Sequence, residues 1–259
     1  MLPPSAAMSA ADGPAHANAA AESLELFRRS WQSYRLVLEH DLMEHRSLTD
    51  ALAPQLLAAC ARLRQQHPDQ PLDLIDLGCG DLALLPEVYR RLPLDRFLGL
   101  DASAPVLPLA RQALEPAPFA CAWICADLSR WLLDPGSPQL ALAVSCFALH
   151  HLDAAGKQQA LAALRQRLRP GGVLLLADMV RHDGDSHAEH MRRNLARVRR
   201  WAEVMGAEAS QAIYDHVACC DRPADLRELM AQAQACGWQA ELIWSDSDRL
   251  EALLRLEPA

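Results

Sequence analysis

Residues Asp73–Leu85 read DLIDLGCGDLALL. Leu74, Ile75 and Leu77 make a short apolar run of the kind a buried parallel strand shows. Gly78 and Gly80 follow at once, and Leu82, Leu84, Leu85 and Val88 then recur at roughly helical spacing. A strand, a glycine turn and a helix start form the junction at which open α/β sheets bind nucleotide-like ligands. Glycine suits that turn because a side chain there would hold a flat ligand away from the backbone.

The same alternation recurs downstream. FLGLD (Phe97–Asp101) reads as a second strand. Ser103 is expected to cap the next helix, with Pro105 in its first turn and an end near Leu114. A third strand lies in FACAWICAD and ends near Asp127, and a short helix holds Trp131 and Leu132. LALAVSC (Leu140–Cys146) is a fourth strand, followed by a helix from about Ala154 to Leu168. Arg169, Pro170, Gly171 and Gly172 make a turn into a fifth strand, Val173–Val180. Five such units predict a parallel sheet with helices on both faces.

The flanks differ. Residues 1–21 are rich in Ala, Ser and Pro, without the basic start or apolar core of a signal peptide, and are expected to be a disordered leader. Residues 22–70 read as an N-terminal helical segment. Leu24, Phe27, Trp31, Tyr34 and Leu38 form one apolar face. After the polar EHDLMEHRS, Ser47 is expected to cap a second helix that stops at His67-Pro68. Residues 71–259 form the main domain. Within it, 183–220 reads as a helical cap inserted over the carboxyl edge of the sheet. A helix over Leu226–Ala235 and two strands without a helix between them complete the chain, implying a C-terminal antiparallel hairpin.

Composition bounds the function. With 259 residues and 51% hydrophobic content the chain can bury one large core. A net charge of −8 argues against a mainly electrostatic nucleic-acid binder. Lys157 is the single lysine among the basic residues, and the wealth of Arg, Ala and Leu suggests a GC-rich bacterial genome. The eight cysteines show no CxxC pair; neither Cys121/Cys125 nor Cys219/Cys220 has zinc-module spacing, so reduced thiols in the cytoplasm are expected. No run approaches the ~20 apolar residues of a membrane span.

Five stations in register resemble the class I S-adenosylmethionine-dependent methyltransferases: DLGCG (Asp76–Gly80), LDAS (Leu100–Ser103), ADL (Ala126–Leu128), SCFALHHL (Ser145–Leu152) and LRPGG (Leu168–Gly172). The resemblance runs from about Leu72 to the end. Leu82 stands where that family often has a third glycine. It implies a Rossmann-like, seven-stranded, mostly parallel sheet, and S-adenosylmethionine as cofactor. Asp76, Gly78, Cys79, Gly80 and Cys146 would then hold its methionine part, Asp101 its ribose hydroxyls, and Asp127, Ala102 and Leu128 its adenine.

Two other classes share some of these features. Gly78–Ala83 also satisfies G-x-G-x-x-G/A, with Asp101 at a ribose position, as in an NAD(P)-dependent oxidoreductase. Against it stand Asp76 ahead of the glycines, the PGG turn, and the lack of a Tyr four residues before Lys157. A catalytically inactive cofactor-fold subunit with a regulatory or scaffolding role is the non-enzymatic alternative; the retained Asp101 and Asp127 oppose it. His187 and His190 flank no HExxH motif, and no metal site is expected.

The reaction implied is in-line methyl transfer to a small molecule, which needs alignment and exclusion of water, and a base only for a protonated acceptor. His151 falls where some small-molecule members carry a histidine that pairs with an N-terminal tyrosine, here Tyr34. His45, Arg46, His150, Tyr214 and His216 are the further substrate candidates. No nucleic-acid or membrane partner is expected, and the chain is expected to act as a monomer or homodimer.

Overall fold

The alternation of apolar runs and helices produces one sheet. The computed structural model describes residues 33–134, 136 and 138–259. Strands β1 (Asp73–Leu77), β2 (Arg96–Asp101), β3 (Ala120–Cys125), β4 (Leu140–Cys146) and β5 (Leu168–Arg181) pair in parallel. β7 (Trp238–Ser245) and β8 (Glu251–Pro258) form the expected antiparallel hairpin. The order is β3-β2-β1-β4-β5-β8-β7, with β8 antiparallel to β5. A two-residue β6 (Ala224–Asp225) adds to the seven expected strands and pairs with the end of β5.

Helices cover both faces because the strands are apolar on both. Leu74 of β1 faces a cluster with Leu52, Leu56 and Leu63 of α2 (His45–Gln66), Tyr89 of α3 (Pro86–Arg90) and Leu114 of α4 (Leu107–Leu114). Ile75 and Leu77 face the opposite cluster, with Leu132 of α5 (Leu128–Leu133), Leu161 and Leu164 of α6 (Ala154–Arg167) and Leu229 of α9 (Leu226–Ala235). Two helices, α7 (His187–Met205) and α8 (Ala207–Cys220), occupy the segment expected to form the cap. Val198 and Trp201 of α7 pack on Val37 of the helical residues 33–39 (α1). The leader and the predicted start of the first helix, with Leu24, Phe27 and Trp31, lie outside the described residues.

Several element starts differ from expectation. The chain after Gly80 does not enter a helix: Leu82 is left-handed (φ 58°), and α3 begins only at Pro86. The spacing of Leu82, Leu84, Leu85 and Val88 reflects burial of a loop against the sheet, not a helical face. Ser103 does not cap α4: the helix begins four residues later, at Leu107, and the Ser103 N–H donates to Asp101. α2 begins at His45, ahead of Ser47, whose hydroxyl instead accepts from the Trp244 indole.

Candidate active site

Chain order reverses between β1 and β4, a switch point beyond whose carboxyl ends an α/β sheet is expected to open a crevice. The glycine turn fills one lip of it. Gly78 has φ 73°, and a Cβ there would stand 2.4 Å from the Ala148 Cβ beyond β4. Its N–H and that of Cys79 both donate to the Leu100 carbonyl, which fastens the turn to β2. Gly80 has φ 53° and nothing within 4 Å of a Cβ built on it. The first glycine is therefore required by packing, the second by backbone conformation beside open space.

Asp76 lies on the same side of β1 as Leu74, at the strand's end. It is 3% exposed. Its Oδ2 accepts from the Tyr89 hydroxyl at 2.8 Å, while its Oδ1 is buried without a partner. Burial pushes the carboxyl up to about 7, against the lowering effect of the Tyr89 hydrogen bond. An acceptor kept dry and half-satisfied at a crevice wall matches an ammonium group on a ligand.

Asp101 ends β2. Its two oxygens accept from the N–H groups of Gly80 (2.9 Å) and Ser103 (2.8 Å), so it organises the glycine turn while each oxygen keeps a free lone pair. Ala102 beside it is exposed. Asp127 caps α5 by accepting from the Arg130 N–H, and Leu128 opens that helix, partly buried. Cys146 ends β4, and burial holds its thiol well above the usual range, so the side chain is an uncharged wall.

The N-terminal helices bring a second set of groups to the crevice. His45 packs edge-on between Tyr34 (6.1 Å between ring centroids) and Phe147 (5.6 Å). It is buried, neither ring nitrogen has a partner, and desolvation lowers its pKa to about 4. Burial likewise raises the Tyr34 phenol, with Asp81 and Cys146 adding to the effect. Arg46 is exposed, its N–H donating to Asp41. Tyr214 of α8 packs instead into the Val37–Trp201 cluster.

Sequence reading missed most of what α7 contributes. His190, Asn194 and Arg197 are all buried; the imidazole nitrogens and both ends of the carboxamide have no partner. Arg197 pairs with Glu251 of β8 and lies 3.6 Å from Asp246. Desolvation, reinforced by Arg197, lowers His190 to about 4, and burial raises Glu251 to about 8 despite Arg197. Five arginines fall between Arg192 and Arg200. Arg193 and Arg200 do pair at the surface with Asp185 and Asp248, but Arg197 turns inward. Helical periodicity alone distinguishes it: Asn194, Arg197, Val198 and Trp201 share the buried stripe.

His150 and His151 lie in a 3-10 turn after β4. Their rings are 4.1 Å apart, and His151 meets His216 of α8 edge-on at 6.2 Å. His150 Nδ1 is 2.5 Å from Asp178 Oδ1 on β5. Burial works against charge on His150, but Asp178, then Asp221, outweigh it and raise its pKa. Desolvation and then the neighbouring histidines lower His151 to about 4. Among the described residues no ring contact joins Tyr34 to His151; Tyr34 meets His45, and His151 meets His150 and His216.

Comparison with known proteins agrees with this layout. A family described as "Methyltransferase domain" matches residues 74–172. A trans-aconitate 2-methyltransferase of Acidovorax sp. (strain JS42) is 29% identical over 204 residues, 76% of this chain and 74% of that protein. A carboxy-S-adenosyl-L-methionine synthase of Hydrogenovibrio crunogenus is 22% identical over 210 residues, 78% of this chain and 80% of that protein. Among solved structures, the CurJ carbon methyltransferase superposes with a TM-score of 0.53 at 15% identity, over 76% of this chain and 51% of that one, which speaks for the fold. None of these supports the dehydrogenase or scaffolding alternatives.

Proposed function

Because the chain belongs to the class I S-adenosylmethionine-dependent methyltransferases, we propose that it methylates a small-molecule acceptor held between the glycine turn and the helical cap. The observation that carries this reading is the Asp76 carboxylate. One oxygen is anchored by Tyr89; the other is buried, unpartnered and at the switch point of the sheet. The open space beside Gly80 adds a cradle for an extended ligand. These residues fit the cofactor.

When bound, S-adenosylmethionine supplies an electrophilic methyl group on a sulfonium, already a good leaving group. The chain's residues supply binding and orientation. Asp76 and the Cys146 carbonyl would hold the ammonium, Asp101 the ribose hydroxyls, and Asp127 and the Leu128 N–H the adenine edge, with Ala102 and Leu128 against its face. Bidentate acceptance by a carboxylate suits a vicinal diol better than a neutral side chain does.

On this reading the acceptor lies beside the rings of His45, Tyr34 and Phe147, which pack edge-on. Uncharged imidazoles can accept a proton from an acceptor hydroxyl or amine, and the dry surroundings exclude water. His45 is better placed for this than His151, whose ring faces His216 and Asp221. Relatives named for trans-aconitate act on a small molecule, and the chain's acidity supports the same class here. Cytoplasmic action as a monomer or homodimer, without nucleic acid or membrane, completes the proposal; among the described residues no helix is long and apolar enough to cross a membrane.

Calorimetric titration with S-adenosylmethionine and its demethylated product tests the reading. The wild type should bind both at micromolar order, about −8 kcal/mol. Asp101→Ala should bind at least about tenfold more weakly, a loss of roughly 1.4 kcal/mol. No binding by the wild type sinks the reading; equal affinity in the variant sinks the ribose role.

A further inference from the structure

Asp221 follows the last turn of the cap, and its side chain is 3% exposed. Its Oδ1 has no hydrogen-bond partner, yet it stands 3.5 Å from His150 Nε2 and 3.5 Å from His151 Nδ1. One donor atom from each of the three residues lies within 4.8 Å of the others. Those separations are long for hydrogen bonds. They match ligands that share an ion: donors about 2.0–2.1 Å from a tetrahedral zinc stand about 3.3–3.4 Å apart.

We propose that His150, His151 and Asp221 bind one divalent first-row transition-metal ion. Two imidazoles and one carboxylate suit zinc, cobalt, nickel or ferrous iron better than calcium or magnesium. The buried, unpartnered Asp221 oxygen is the second, independent sign: leaving it unpaired costs stability, and a cation satisfies it.

The surroundings are those of a ligating histidine. Asp178 sits behind His150 at Nδ1, which directs the Nε2 lone pair forward to Asp221. A carboxylate in that place fixes the tautomer and ring orientation of metal-bound histidines. Asp178 is itself held by the Met179 N–H at 3.0 Å. The ammonium of Lys157, the chain's single lysine, is engaged by the carbonyls of Leu152 and Arg222. The His151 side chain is 48% exposed, which leaves an entry path and open coordination positions. The ion would tie the trailing end of α8 to the turn after β4, beside the hydrogen bond from the Arg222 N–H to the His150 carbonyl. It would also commit the His151 lone pair, consistent with a base elsewhere. The site stands independently of the methyl-transfer reading, since it uses none of the cofactor residues.

The test uses the full chain, stripped with a chelator and titrated with Zn²⁺ by calorimetry and with Co²⁺ by visible absorption. One ion per chain and cobalt ligand-field bands are expected. His151→Ala and Asp221→Asn should each weaken binding at least about tenfold, and Asp178→Asn should weaken it as a positioning residue, within about 10–100-fold. Should a buried variant misfold by circular dichroism, the half-exposed His151→Ala decides. Absence of stoichiometric binding in the wild type, or binding unchanged in His151→Ala, overturns the proposal.

Discussion

The Tyr89 hydroxyl donates to Asp76 Oδ2 at 2.8 Å and leaves Oδ1 of the same carboxylate buried and alone. Burial raises Asp76 to about 7. The group is then charged only above that pH, and affinity for a ligand ammonium should rise as pH increases through it. The calorimetric dissociation constant for the demethylated cofactor should fall about tenfold between about pH 6 and pH 8. Tyr89→Phe removes a hydrogen bond that lowers the pKa, so its transition should move to higher pH. A flat profile in the wild type, or an unmoved step in the variant, would refute the role.

Gly78→Ala should destabilise the protein by about 2–4 kcal/mol, from a left-handed φ together with overpacking. The new Cβ would sit 2.4 Å from that of Ala148. Adding Ala148→Gly relieves the collision but not the φ, so the double variant should recover part of the loss. Chemical denaturation measures both; additive losses would contradict the contact.

His45 and His190 are both lowered to about 4 by burial. In the unfolded chain they protonate near 6.5, in the native state only near 4. Over that window the unfolded state binds more protons, so each site's contribution is present above about 6.5 and is lost as pH falls to about 4. Asp76 acts in the opposite sense: its native carboxyl keeps a proton up to about 7, so its contribution falls as pH rises from about 4 to that value. His190→Gln should therefore lose less stability than the wild type between about pH 7 and pH 5. Equal slopes in urea denaturation across that range would count against it.

Arg197 and Glu251 are both buried and face each other across α7 and β8. Arg197→Met strands a buried carboxyl and should cost about 3–5 kcal/mol. Arg197→Met with Glu251→Leu removes both partners and should recover much of it. A double variant no more stable than the single would mean that Asp246, 3.6 Å from Arg197, is the partner that matters.

The sheet was legible because its signal is local. Runs such as Leu140–Cys146 are apolar on both faces, and each is punctuated by glycine, proline or a capping acid. Asp76, Asp101 and Asp127 were legible for the same reason: each sits at a strand's carboxyl end, a place that chain order reveals. The helix starts at Leu82 and Ser103 misled because burial of a loop mimics helical spacing, and because the chain after Ser103 turns through three more residues before α4. Tyr89, Asp178 and Asp221 carried no spacing signal toward their partners.

The order of the βα units and the glycine turn at the end of β1 follow from local sequence. Strand periodicity and backbone freedom are properties of short segments. Which polar groups lose their water depends on how the elements pack. Asp76 against Tyr89, Arg197 against Glu251, and Asp221 between two histidines are pairings across 13, 54 and about 70 residues of chain. Desolvation there arises from elements meeting in space, and no stretch of sequence encodes it alone.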